Sequence, residues 1–514
     1  MKKRVIALML VLLMAAGISG CAGPVNADSE NESPIMQEYW PEDGWRTSTP
    51  EEQGMDSQVL ADMVGSISDS IDSVTIIRNG YLVNETYFYP YQKGFKHAMN
   101  SCTKSVLSAL VGIAIEEGAI NSIDDKVLDY FPDANIANND ARKQDMTVRD
   151  LLTMTTGLDW QVDGNVSTSE MTASPDWTKY ALDLPMKDDP GTSFNYCNGA
   201  ANIMSAILQN ATGKTAAEYA AEKLAPLGMK DLFWSADPEG VSTGYSGIYM
   251  EPHDMAKFGY LYLNKGVWNG QQIIPQSWVE ESTKQQVSGG WTPIFPGYGY
   301  MWWMSRFGGY AALGFGGNYI FVVPKKNLVV VFTGGIFNNQ DLFKPGELME
   351  QYIIPSVKSD KPLAPNPAAA DALRAAVEAV GEPAAVPVDA LPAIAAEISG
   401  KPLVVTGGDG SSVLTLTFEE ASSEFTVASG SVIKKAGLDN IYRISGEANA
   451  FGVFPGSHKA LKGVWLDENT LQVFEQDMED GFETVFTIDF EGNAFNLNIK
   501  YNLGFEQNYE GTVG

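Results

Sequence analysis

The chain of 514 residues is 44% hydrophobic and 11% aromatic, more apolar material than one typical core uses, so at least two folded domains are expected and wholesale disorder is excluded. A formal charge of −30 repels phosphates and argues against nucleic acid as a partner. Three cysteines and three histidines are too few for a disulfide framework or a zinc site, and no cofactor is expected.

The N-terminus has Lys2, Lys3 and Arg4, then an apolar run from Val5 to Ala16, then Ile18-Ser19-Gly20-Cys21. This pattern predicts an export signal over residues 1–20, too short and wrongly flanked for a spanning helix. Its ending resembles a bacterial lipobox, which implies cleavage before Cys21 and lipidation of the thiol. The alternative is an ordinary cleaved signal with an incidental cysteine. Residues 21–38, with Asp28, Ser29, Glu30, Asn31, Glu32 and Ser33, read as a flexible, solvated tether. The expected location is outside the cytoplasm, with the protein lipid-anchored at the outer side of a bacterial membrane or in the cell envelope.

Ser73 to Arg78 and Tyr81 to Phe88 are β-rich runs separated by Asn79-Gly80, a strong hairpin signal. Ser101 to Glu117 predicts a largely buried helix, with Leu107, Leu110 and Ala114 at helical spacing and Gly118 at the capping position. Further helical patterns run over Val148 to Met154, Gly199 to Asn210 and Met255 to Leu263. A second hairpin, Tyr319 to Val323 and Leu328 to Thr333, follows. Strands at both ends around a helical middle predict an α+β domain over residues 39–355, its one antiparallel sheet assembled from start and end. Residues 356–400 are rich in Pro and Ala, with one short helical pattern from Ala370 to Val380, and read as a linker. Short strands between turns over residues 401–514 predict a small all-β barrel or sandwich. Its expected role is a structural cap, with ligand binding as the alternative.

A serine hydroxyl is a poor nucleophile at neutral pH and needs a base in hydrogen-bond reach and donors for the oxyanion. Ser101-Cys102-Thr103-Lys104 supplies nucleophile and base locally, because positions three apart share a helix face. Desolvation there would lower the lysine pKa. Alone, Ser-x-x-Lys is a weak pattern. Downstream stand Phe194-Asn195-Tyr196-Cys197-Asn198, before an apolar helix, and Leu313-Gly314-Phe315-Gly316-Gly317-Asn318, before a strand.

These three motifs in this order resemble the serine β-lactamase and penicillin-binding-protein superfamily over roughly residues 45–355. Thr147 to Trp160 and Asp254 to Leu261 resemble more narrowly its class C-like esterase and 6-aminohexanoate-oligomer hydrolase branch. The resemblance implies Ser101 as acylated nucleophile, Lys104 as base, Tyr196 as proton shuttle and Asn198 as positioning amide. It also implies an oxyanion hole from the backbone N–H groups of Ser101 and Gly317, and ester or amide hydrolysis of a small-molecule substrate. Gly314 stands where the resemblance places a cation for a substrate carboxylate, which argues against efficient β-lactam turnover. Gly314, Gly316 and Gly317 also suit a bulge or tight bend before a strand. Asn198 is in addition a natural helix cap.

Trp160 is the candidate pocket wall, although large aromatics are more often core. Cys102 and Cys197 flank the reactive side chains and form either a disulfide or two inert thiols. Two rivals stand beside the hydrolase reading. One is an acylatable sensor that does not turn over. The other is an α/β-hydrolase using Ser242 in Gly240-Val241-Ser242-Thr243-Gly244, although a turn sequence precedes that pentapeptide and no βα alternation surrounds it.

Overall fold

A computed structural model describes residues 39–67, 70–229, 232–338, 341–407, 410–446, 454 and 457–514. The expected signal, Cys21 and tether lie outside the described residues. Labels below cover the strands of the two main sheets and the helices that position the site.

The first sheet is antiparallel and has eight strands: β1 (Ile71–Arg78), β2 (Tyr81–Tyr87), β3 (Val287–Thr292), β4 (Phe295–Tyr298), β5 (Trp303–Met304), β6 (Tyr310–Gly314), β7 (Asn318–Val323) and β8 (Leu328–Gly334). Their spatial order is β2-β1-β8-β7-β6-β5-β4-β3, so the first hairpin joins the strands from the end of the domain through β1 against β8. Asn79, at φ 51°, and Gly80, at φ 80°, make the left-handed turn that the Asn-Gly pair predicts. β1, β7 and β8 are buried at every position, and their Val and Ile runs pack on both faces.

Helices α1 (Ser57–Ser66), α2 (Thr103–Glu116), α3 (Asn198–Thr212) and α4 (Pro252–Leu263) cover this sheet and each other. Gly259 lets α4 lie flush on the sheet, since a Cβ there would be 2.7 Å from Ile320 and Val329 side-chain atoms. Helix α5 (Pro367–Gly381) falls inside the stretch read as a linker, yet Leu373 joins the first domain's core and Tyr89 N–H donates to Val380 C=O at 3.0 Å. The helical pattern expected from Ala370 to Val380 is present, and its Leu373, Val377 and Val380 face packs on the first domain's core.

The tail forms a closed barrel of nine strands: β9 (Pro402–Gly407), β10 (Gly410–Phe418), β11 (Glu424–Ser429), β12 (Val432–Gly437), β13 (Lys459–Trp465), β14 (Thr470–Asp477), β15 (Glu483–Glu491), β16 (Ala494–Tyr501) and β17 (Glu506–Val513). β17 pairs with β9, and a parallel bridge between Gly437 and Lys462 joins β12 to β13. Leu403, Leu416, Phe425, Leu461, Leu471, Phe490 and Phe495 share one core with Ile394, Ala395 and Ile398 of a short helix before β9. Side chains therefore fill the barrel. Barrel and first domain belong to one compact unit, residues 38–514.

Candidate active site

Ser101 rides on a single 3-10 turn, Asn100–Cys102, that feeds into α2, so the helix predicted from Ser101 begins in α form two residues later. Asn100 takes the left-handed conformation, φ 47°, which Asn tolerates better than most residues. From Thr103 to Ala114 the helix is buried, and with it Lys104, 1% exposed.

Lys104 Nζ lies 3.0 Å from Ser101 Oγ, 2.8 Å from Asn198 Oδ1 and 3.1 Å from Tyr245 C=O. Burial pulls the amine pKa down from 10.5 to about 7. A neutral amine has two N–H donors and one lone pair. Asn198 and the Tyr245 carbonyl are acceptors only toward it, so they take the two N–H groups and leave the lone pair facing the Ser101 hydroxyl. Asn198 Nδ2 is held in turn by Thr168 Oγ1 at 3.0 Å. No sequence signal marked Tyr245, whose contribution is a loop carbonyl.

Tyr196 is 8% exposed and hydrogen-bonded to Ser101. Burial pushes its phenol well above the usual range, with the Ser101 bond opposing. The hydroxyl is therefore protonated at neutral pH and can pass a proton, whereas Lys104 is the group poised to accept one. Its ring packs 5.7 Å from that of Trp303 and 6.3 Å from that of Tyr298. Asn198 opens α3 but does not cap it: Cys197 is the cap, its Sγ accepting from Ala200 N–H at 3.2 Å. Cys102 and Cys197 are free, buried thiols, and burial raises both pKa values.

Two features of the third motif bear on its expected roles. Gly314 of β6 pairs with Asn318 of β7, so residues 315–317 form a three-residue turn. A Cβ on Gly314 would lie 2.2 Å from Met99 C=O and 3.3 Å from Cys102 N, because the strand passes flush against the turn carrying Ser101. The close approach requires a glycine here, so the position that would carry a cation for a substrate carboxylate carries none.

The second feature concerns the oxyanion donor. Ser305 N–H donates to Gly309 C=O, and Ala311 lies opposite Trp303, so the odd-numbered peptide groups of β6 point to its β5 edge. β5 covers that edge only as far as Ala311. Beyond it, Phe315 C=O accepts from Asn100 Nδ2 at 2.7 Å, next to Ser101. Strand alternation thus makes the Phe315 backbone, beside the Asn100 side chain, a candidate second oxyanion donor in addition to the expected Gly317. Gly317 ends the turn at φ 82°, against Ile336, whose N–H donates to Gly316 C=O at 2.9 Å.

Trp160 is 3% exposed and does two things. With Gly157, Leu158, Lys187, Phe194 and Asn195 it lines a cavity of about 250 Å³. It also braces the Tyr196 segment, because its C=O accepts from Asn195 Nδ2 at 2.9 Å and its ring meets Gly199.

Ser242 is 1% exposed. Its Oγ accepts from Ala217 N–H at 3.1 Å and its C=O from Ser205 Oγ at 2.6 Å. It sits in a loop of an antiparallel fold, without the strand-to-helix elbow that an α/β-hydrolase requires. The three histidines face carboxylates elsewhere: His97 faces Asp72, His253 faces Glu85 and His458 faces Glu479.

A family model described as Beta-lactamase matches residues 52–352. A 6-aminohexanoate-dimer hydrolase of Paenarthrobacter ureafaciens is 25% identical over 284 residues, spanning 51% of this chain and 71% of that protein. An uncharacterized protein of Alkalihalophilus pseudofirmus is 24% identical over 312 residues, spanning 53% and 85%. A solved structure from Bacillus anthracis, provisionally assigned as a 6-aminohexanoate-dimer hydrolase, shares the fold. Its TM-score is 0.50 at 20% identity, with 63% of this chain and 90% of that chain covered.

Proposed function

The chain belongs to the Beta-lactamase family of serine hydrolases, and from that premise we propose that it hydrolyses small esters or linear amides through an acyl-enzyme on Ser101. The observation that carries the reading is the buried Lys104 amine, drawn to about 7 and 3.0 Å from Ser101 Oγ.

In acylation, Lys104 takes the Ser101 proton as Oγ attacks the carbonyl carbon. The developing oxyanion is received by the N–H groups of Ser101 and Phe315. The Tyr196 hydroxyl gives its proton to the leaving alcohol or amine and is reprotonated from Lys104, so the site returns to its starting charge. In deacylation, water loses its proton to the same pair and attacks the ester carbonyl; the C–Oγ bond breaks, the pair returns the proton to Ser101 Oγ, and the acid is released. Asn198 and the Tyr245 carbonyl keep the Lys104 lone pair on the reacting hydroxyl throughout.

The test is steady-state hydrolysis of p-nitrophenyl butyrate. Linear product formation well beyond one equivalent is expected. One stoichiometric burst followed by silence would instead support the acylated sensor.

Export and anchoring belong to the same proposal. The basic start, apolar run and Ile18-Ser19-Gly20-Cys21 ending support cleavage before Cys21, lipidation there and tethering in the cell envelope. The expected result is partition of the mature protein into a detergent phase, and of Cys21→Ala into the aqueous phase. Equal partition of the two would contradict the anchor.

A further inference from the structure

The turn between barrel strands β14 and β15 abuts the catalytic machinery. It is fixed from within: Asp477 Oδ1 accepts from Glu479 N–H at 3.2 Å and Asp480 N–H at 3.0 Å, and Asp477 N–H donates to Phe482 C=O at 2.8 Å. It is also fixed to the first domain. Ala98 N–H donates to Glu479 C=O at 2.8 Å, and Tyr249 OH donates to Asp480 Oδ1 at 2.7 Å. Gly335 meets Gly481 so closely that a Cβ on Gly335 would lie 2.4 Å from Gly481 C=O.

The next residue, Ile336, pins the 315–317 turn through Gly316, and this turn carries the Phe315 amide proposed above as an oxyanion donor. Aromatic rings follow the same route. Phe315 lies 5.3 Å from Phe337 by ring centroids, and Phe337 stacks on Phe482 at 4.8 Å and 24°. Phe315 is 40% and Phe482 38% exposed, while Phe337 between them is buried. Two exposed phenylalanines over a buried third form an apolar shelf beginning at an oxyanion donor. Contiguous exposed apolar surface of this kind commonly marks a binding site.

Resting on the proposed hydrolase reading, we infer that this shelf binds the apolar acyl group of the substrate and that the barrel, through Phe482, sets acyl-chain specificity. Once the substrate carbonyl oxygen is held by the Ser101 and Phe315 amides, the leaving group must reach the Tyr196 hydroxyl. Tyr196 belongs to a separate ring cluster with Trp303 and Tyr298. The acyl chain, on the other substituent of the carbonyl carbon, then runs along Phe315 toward Phe337 and Phe482. Phe482 is a specificity residue here, remote from the proton transfers.

The test uses the full chain and p-nitrophenyl esters of fixed leaving group: acetate, butyrate, octanoate and phenylacetate. Phe482→Ala should lower kcat/KM for octanoate and phenylacetate about tenfold, within the range a pocket change of this size supports. Acetate should stay within about twofold of wild type. Phe482→Leu should recover most of the octanoate rate, and the melting temperature of both variants should match wild type. An equal loss on all four esters, or an unchanged chain-length profile, would overturn the inference. Acetate hydrolysis that depends on Ser101 would meanwhile still uphold the hydrolase reading. Loss of that dependence would sink the reading itself.

Discussion

Ser101 and Ser242 invert the ranking that their motifs suggest. Ser242 sits in a full Gly-x-Ser-x-Gly pentapeptide, and Ser101 in a four-residue pattern that chance supplies often. In the folded chain Ser242 Oγ is consumed as an acceptor for Ala217 N–H in a buried loop. Ser101 is partly exposed, and its Oγ faces an amine with a lowered pKa at 3.0 Å. The reactivity proposed for Ser101 belongs to the surroundings of the hydroxyl: a base beside it, donors for the oxyanion, and room for a substrate.

The sharpest way to break the contrast is to remove each hydroxyl. Ser101→Ala should lower kcat for p-nitrophenyl butyrate by about 10⁴-fold or more, leaving only background from binding and the oxyanion donors. Lys104→Ala comes next, with a loss of about 10³-fold. In the wild type, kcat/KM should rise about tenfold per pH unit below about 7 and level off above, because only the neutral amine accepts the Ser101 proton. A profile that falls through this range would contradict Lys104 as base. Tyr196→Phe should reduce kcat about 100-fold with a smaller change in KM, since the ring still packs on Trp303 while the transferable proton is gone. Ser242→Ala should leave kcat/KM within about twofold. It should lower the melting temperature by about 1–2 °C, the effect of one buried hydrogen bond near 1 kcal/mol in a large chain.

Much of the architecture was legible because it follows local rules. Asn79-Gly80 fixed a hairpin, helical spacing located α2, α3 and α4, and strands at the two ends of the domain implied one shared antiparallel sheet. Ser101, Lys104, Tyr196 and Asn198 were legible as motif members, and the fold brings all four together.

What escaped depends on register and on distant segments. Gly314, Gly316 and Gly317 are alike in sequence, and only the Gly314–Asn318 pairing shows where the strand ends. Helix α5 was legible as a short helical pattern, but its docking on α1 joins segments about three hundred residues apart. The Tyr245 carbonyl and the barrel turn at Phe482 approach the site across more than a hundred residues of chain, and no spacing rule reports such approaches.

The most direct test of the central claim is to label the wild-type protein with a fluorophosphonate and map the adduct by peptide mass spectrometry. A single modified peptide carrying the label on Ser101 is expected, with labelling lost in Ser101→Ala and retained in Ser242→Ala. Label on Ser242, or labelling that persists without the Ser101 hydroxyl, would contradict that claim.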